Sequence, residues 1–313
     1  MSLKRTEKCG IMLYHVDVSR IGPWEMKRFI DKGYSNGYCI PMNHEIGQVI
    51  MQCKLALEND DMVWVYPPSF NSNNETIDEY MQKVDASVNK LVEAGVWDAV
   101  VGFHWDEPIL NRQTNEDFYA MTRALSEKYG KRIFPVFSCY EITGYRGNDE
   151  DKYGYMQFKK FASEYITDVG FDSYGQDIRP EYAEAMKPKV EEFAKLFPEV
   201  TSGEAYYRFY TKKLKELMIG EPNIWYYPCA YICNTWTGDK TNEDYCIAHL
   251  EFFIKLLKEQ EHPGGIHVYN WKTWYDYRPA LDYFLDKDCP ERWDRYEKAL
   301  QEACKEINNM KLK

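Results

Sequence analysis

The chain lacks an excess of basic residues, any long apolar run, any paired-cysteine motif and any serine-nucleophile signature, and each absence removes a class of function. Thirty-nine Lys and Arg stand against 50 Asp and Glu, a formal charge of −11. That is the wrong sign for gripping a phosphate backbone or an anionic bilayer, so neither nucleic acid nor a membrane is expected as a partner. No segment approaches the ~18 uninterrupted apolar residues of a membrane span, and the opening "MSLKRTEKCGIML" lacks the apolar core of a secretory signal. The nine cysteines, at 9, 39, 53, 139, 229, 233, 246, 289 and 304, form an odd set with no Cys-x-x-Cys pair, which fits reduced thiols in a cytoplasmic chain. There is no Gly-x-Ser-x-Gly, no His-x-His, and the only Gly pair near a strand, in "HPGG", precedes that strand instead of following it. No cofactor and no metal is therefore expected.

What is abundant is aromatic. Tyr (26), Phe (15) and Trp (9) make up 16% of the 313 residues. Tyr and Trp combine a flat apolar face with a polar handle, which suits ligands that are part apolar and part hydroxylated, as sugars are. Hydrophobic residues at 44% and charged ones at 28% are ordinary for a globular chain with a sizeable core.

Short apolar runs alternate with longer amphipathic ones, the pattern of a parallel sheet with crossover helices. Eight runs read as strands: 9–17, 38–43, 62–68, 99–107, 132–141, 168–175, 223–232 and 265–271. The clearest helix lies over 76–94, where Ile77, Tyr80, Met81, Val84, Val88, Leu91 and Val92 share a stripe and Thr76 with Glu79 forms a capping-box pattern. "TNED" occurs at 114–117 and again at 241–244, each with a Thr placed to cap a helix. Eight strands, each followed by a helix, give the α/β class and a (β/α)8 TIM barrel in one domain, 1–313. The core covers about 9–288, and 289–313 forms a C-terminal helical extension. The long sixth-to-seventh interval holds two helical patterns, 180–197 and 203–219, hence an extra helix there. Pro41, Pro135 and Pro228 inside strand candidates shift some strand limits.

In such barrels chemistry gathers at the carboxyl ends of the strands. There the sequence places Asp17, His104, Asp106, Glu107, Glu141, Asp172, Tyr174, Tyr231, Asn270 and Trp271, acids and rings with few basic residues. The fourth strand ends "FHWDEP", with Asp106 and Glu107 side by side. Side chains alternate along a strand, but Pro108 makes the chain turn, so both carboxylates can reach one pocket. One charge then raises the proton affinity of the other and leaves an acid protonated near neutral pH. Cleavage of a glycosidic bond needs such a group, since an alkoxide leaves poorly until protonated.

"FHWDEP", the aromatic strand ends and "YNW" on the eighth strand look like a TIM-barrel glycoside hydrolase. The Asp-Glu pair is similar to that of β-hexosaminidases and of the substrate-assisted β-N-acetylgalactosaminidase family. The resemblance implies Glu107 as general acid/base and Asp106 as the group that orients and stabilises an attacking 2-acetamido group. It also implies Tyr174 on the acetamido oxygen and Trp271 as the floor beneath the sugar. Asp17, His104, Glu141, Asp172, Tyr231 and Asn270 are the further substrate-binding candidates. Where the large retaining clan carries a nucleophilic Glu on strand seven, this chain reads Ile232, Cys233, Asn234, so a two-carboxylate mechanism would need Glu141 or Asp172 as partner. The expected activity is hydrolysis of a β-linked sugar, with a 2-acetamido sugar as one candidate. Two alternatives stay open. One is a non-catalytic carbohydrate-binding barrel. The other is a metal-dependent sugar isomerase or hydrolase built on His15, Asp17, His104 and Asp106. The oligomeric state is not legible.

Overall fold

The computed structural model describes residues 3–14, 22–42, 45–111, 113–144, 157–174, 178–179, 195, 197–232, 242–273 and 279–313. Eight parallel strands form one sheet: β1 (Gly10–Leu13), β2 (Gly37–Pro41), β3 (Met62–Tyr66), β4 (Val100–Asp106), β5 (Arg132–Ser138), β6 (Asp168–Asp172), β7 (Asn223–Tyr226) and β8 (Pro263–Val268). The hydrogen-bonded order runs β1-β8-β7-β6-β5-β4-β3-β2. Across the remaining seam between β1 and β2, Asn36 takes the place of a ladder. Its side chain accepts from Ile11 N at 2.7 Å and donates to Cys9 O at 3.1 Å, while its own N–H donates to Ile11 O. The result is the (β/α)8 TIM barrel expected, with every strand shorter or shifted by a few residues.

Outside lie α1 (Pro23–Lys32), α2 (Ile46–Asn59), α3 (Ile77–Glu93), α4 (Asn115–Tyr129), α5 (Cys139–Thr143), α6 (Gly203–Glu216), α7 (Glu243–Lys258), α8 (Leu281–Phe284) and α9 (Asp294–Asn308). Thr76 and Glu79 cap α3 reciprocally, as their spacing predicts. The two "TNED" segments are used differently. Thr114 caps α4, but at α7 the cap is Asn242, so the second helix starts one residue later in the same tetrapeptide. The residues 132–141 do not form one strand: β5 stops at Ser138, whose hydroxyl and Glu141 build the capping box of α5. After β5 the described crossover holds only that short helix and a 3-10 turn at Lys160–Ser163. Most of the extra-helix pattern at 180–197 lies outside the described residues. Among the described residues α9, packed beside α7, follows β8 and the single-turn α8. Its end is stitched to the first strand through Cys9 N to Met310 O at 2.9 Å. Pro135 does sit within β5, but the register with β6 starts only at Val136, so its missing N–H falls before that ladder begins.

A first hydrophobic cluster fills the space between barrel and helices. A second packs the lumen, where Phe134 stacks on Trp225 at 4.7 Å and Trp64 meets Trp225 edge-on at 5.9 Å. Room for Trp64 comes from Gly102, where a Cβ would lie 2.3 Å from the indole. The amino end of the lumen is closed by an ion pair between Arg132 and the fully buried Asp168, reinforced by Trp225 Nε1 at 2.9 Å and by the Thr167 hydroxyl at 2.9 Å.

Candidate active site

At the carboxyl end the β4 strand delivers Asp106 inward, and the next residue leaves the ladder. Glu107 adopts φ 42°, a left-handed conformation uncommon for a residue with a side chain. Its N–H still donates to Val136 O and its C=O accepts from Asn111 N, both at 2.8 Å. Glu107 lies near enough to the end of β6 for its charge to act on Asp172. Burial first, then the charges of Glu107, Asp106 and Glu141, push the Asp172 carboxyl well above the usual carboxylate range. Among the described residues Asp172 forms no ion pair, and its Oδ1 has no hydrogen-bond partner.

Asp106 is held differently. The Tyr14 hydroxyl donates to its Oδ2 at 2.5 Å, which favours the ionised form, while burial pushes its proton affinity up more strongly. Tyr14 was not among the sequence candidates, although alternation from the inward Met12 would place it inward at the end of β1. Its ring begins an aromatic wall: Tyr14 lies 5.1 Å from Tyr269, Tyr269 stacks on Tyr174 at 4.4 Å, and Tyr231 meets Tyr269 edge-on at 5.3 Å. Tyr174 faces Asp172 and Asp106 from this wall.

Other candidates fall elsewhere. Glu141 is fully buried with both oxygens occupied, accepting from Ile109 N (2.7 Å), Leu110 N (3.0 Å), Ser138 N (2.7 Å) and Ser138 Oγ (3.0 Å). Burial pushes it up to about 7 against the pull of those donors. It ties the loop after β4 to the end of β5 and so positions Glu107. Trp271 is fully buried and offers no face to a sugar: its indole donates to Glu25 Oε1 at 2.8 Å, with Phe29 and Arg28 packed on the ring. His104 lies wholly buried one layer below Asp106, its ring against Tyr66 and Phe134 and its pKa pushed down to about 3 by burial. Asn270 is almost fully buried, with an unpartnered Oδ1. Asp17, with His15, and Asn234 lie outside the described residues.

What the described mouth can do follows from its parts. Asp106, Glu107 and Asp172 lie close enough that burial and mutual charge favour the protonated form of Asp172. Asp172, with its raised proton affinity, lies beside a tyrosine wall.

No protein-family model and no curated protein matches the sequence. Solved structures do. A GH5_18 protein from Bifidobacterium longum subsp. longum, solved in complex with Manb1-4GlcNAc, is 10% identical with a TM-score of 0.61, over 97% of this chain and 80% of that one. Ruminococcus gnavus beta-glucuronidase in complex with D-glucuronic acid is 11% identical with a TM-score of 0.51, over 90% of this chain and 45% of that one. The same enzyme with D-glucaro-d-lactam gives 10% and 0.50, over 86% and 45%. The chain spans about half the length of these glucuronidase chains. At such identities the likeness is one of fold, and the fold it shows is the TIM barrel that glycoside hydrolases use.

Proposed function

We propose that the protein is a glycoside hydrolase acting on a β-linked sugar, with Glu107 and Asp172 sharing the proton that the departing oxygen takes. The observation that carries this reading is the approach of Glu107 and Asp106 to Asp172 at the barrel mouth, where Asp172 forms no ion pair among the described residues. A proton shared between crowded carboxylates is what general acid catalysis needs. Asp106, fixed by Tyr14, faces the positive charge that develops at the anomeric carbon. Fold likeness to two glycosidase structures agrees with this assignment.

Tyrosines and carboxylates suit neutral hydroxyls. A uronate carboxylate would add a further negative charge to a mouth already crowded with acids, so the likeness to a glucuronidase carries over as fold and not as substrate. A 2-acetamido sugar is the finer reading: Tyr174 next to Asp106 could hold the acetamido oxygen while Asp106 accepts its N–H. The test is hydrolysis of paired aryl β-glycosides, glucoside, 2-acetamido-glucoside and glucuronide, by wild type and Glu107→Gln. Turnover of a neutral sugar lost in Glu107→Gln with binding retained supports the proposal. Binding without turnover in wild type points to a carbohydrate-binding barrel, and preference for the glucuronide overturns the substrate class.

A further inference from the structure

The lumen carries a polar cluster that the proposed chemistry does not use. One layer below Asp106, the inward positions of the even strands are Cys39 on β2, His104 on β4, Gly170 on β6 and His267 on β8. Barrels of this kind fill their lumen in layers of four side chains from alternate strands. Gly170 contributes none, and the Tyr227 ring enters its space, where a Cβ on Gly170 would lie 2.8 Å from Tyr227 Cε2. The Cys39 sulfur and one nitrogen from each imidazole lie within 4.8 Å of one another, in side chains at most 4% exposed. The Tyr227 hydroxyl touches both rings, 3.3 Å from His104 Nε2 and 2.9 Å from His267 Nδ1. The remaining ring nitrogens, His104 Nδ1 and His267 Nε2, are buried with no hydrogen-bond partner. In a closed, water-poor lumen such groups are costly to leave unsatisfied.

We propose that Cys39, His104 and His267 bind one zinc ion, which ties β2, β4 and β8 together beneath the carboxylate mouth. The donor set decides the class of ion. One sulfur and two imidazoles form a borderline-soft set that suits zinc and offers nothing to magnesium or calcium, which prefer all-oxygen shells. The Met12 thioether, 3.8 Å from the Cys39 sulfur, and the Tyr227 hydroxyl are the neighbours for a fourth position. Donors around a tetrahedral zinc stand roughly 3.5 Å apart, so the three must close in by about 1 Å, which side-chain torsions can supply. As the sulfur–zinc bond forms, the thiol proton leaves to solvent, and both imidazoles bind in their neutral form. This site shares His104 with the strand-end arrangement of His15, Asp17, His104 and Asp106 that the sequence allows, but takes its other two ligands from β2 and β8.

The experiment reads the metal and not turnover, so its outcome is independent of the glycosidase proposal. The full-length protein is equilibrated with zinc, and separately with cobalt as a spectroscopic substitute, and freed of loosely held ion. The expected result is one equivalent of metal, a thiolate-to-cobalt charge-transfer band, and a zinc X-ray absorption spectrum with one sulfur and at least two nitrogen neighbours. The band disappears in Cys39→Ala and the stoichiometry falls in His267→Gln. Both persist in Glu261→Gln, which alters the exposed Glu221, Glu261 and His262 group instead. Should either lumen variant fail to fold, the wild-type spectra decide. The absence of a charge-transfer band, a shell of oxygen and nitrogen only, or a band that survives Cys39→Ala would overturn the proposal.

Discussion

Asp168 and Asp172 are the first and last residues of the same strand, and the barrel treats them oppositely. At the closed end Asp168 meets Arg132 through two donors and gains two more from Trp225 and Thr167. At the open end Asp172 meets further acids, its Oδ1 has no partner, and its proton affinity climbs. A buried charge that is paired and hydrogen-bonded can hold a structure together, whereas one that is crowded by like charge works against it. The difference teaches which end of the lumen is organised for stability and which for chemistry. Perturbed carboxylates without a structural partner are where a reaction is to be sought.

Substitutions at the two ends sharpen that contrast. The largest effect is expected from Glu107→Gln, which removes the transferable proton at the open end. It should lower kcat on an aryl β-glycoside by about 10²–10⁴-fold with little change in KM. An unchanged kcat would break the assignment of the open end as reactive. Next is Asp168→Ala at the closed end, which leaves Arg132 without its partner. Chemical denaturation at neutral pH should show a loss of about 3–5 kcal/mol, as expected when one member of a buried pair is removed. A loss too small to measure would mean that the ion pair does not secure the barrel floor.

Asp172→Asn should act with the opposite sign. Because the folded state holds the Asp172 proton more tightly than the unfolded chain, it binds more protons above the ordinary carboxylate value of about 4. Stability contributed by that proton is complete below this value and is lost as pH rises through the raised one. Wild type should therefore lose melting temperature with rising pH relative to Asp172→Asn, while the variant loses activity. Parallel melting curves across that range would contradict the crowding of charge at Asp172. The smallest effect is expected from Tyr14→Phe, which deletes the donor to Asp106 and raises its proton affinity further. The acid limb of the pH profile of kcat/KM should move upward by about a unit or less. A limb that stays in place would leave Asp106 outside the titrating group.

Much of the frame was legible in the sequence, because a strand buried on both faces writes itself as an apolar run and Pro108 marks where β4 must break. The juxtaposition of Asp106 with Glu107 was legible for the same reason. Depth was not. His104 lies within a strand and Trp271 and Glu141 just beyond one, yet alternation says only which face a residue takes and not how far the lumen or the loops bury it. Glu141 carries a capping-box spacing with Ser138, a signal of structural work that its place at a strand end obscured. Tyr14 was missed because its hydroxyl acts across the barrel, on a residue 92 positions away. The late start of α7 is likewise set by packing, since one tetrapeptide caps two helices at different positions.

The central claim is that the mouth stores a proton on its crowded acids, with Asp172 among them. Infrared difference spectroscopy of the carboxyl C=O stretch at pH 7, wild type against Asp172→Asn and against Asp168→Asn, tests it most directly. The account predicts a protonated-carboxyl band in wild type that is lost on substituting Asp172 and kept on substituting Asp168. Spectra in which the Asp172 substitution removes only ionised carboxylate would contradict it.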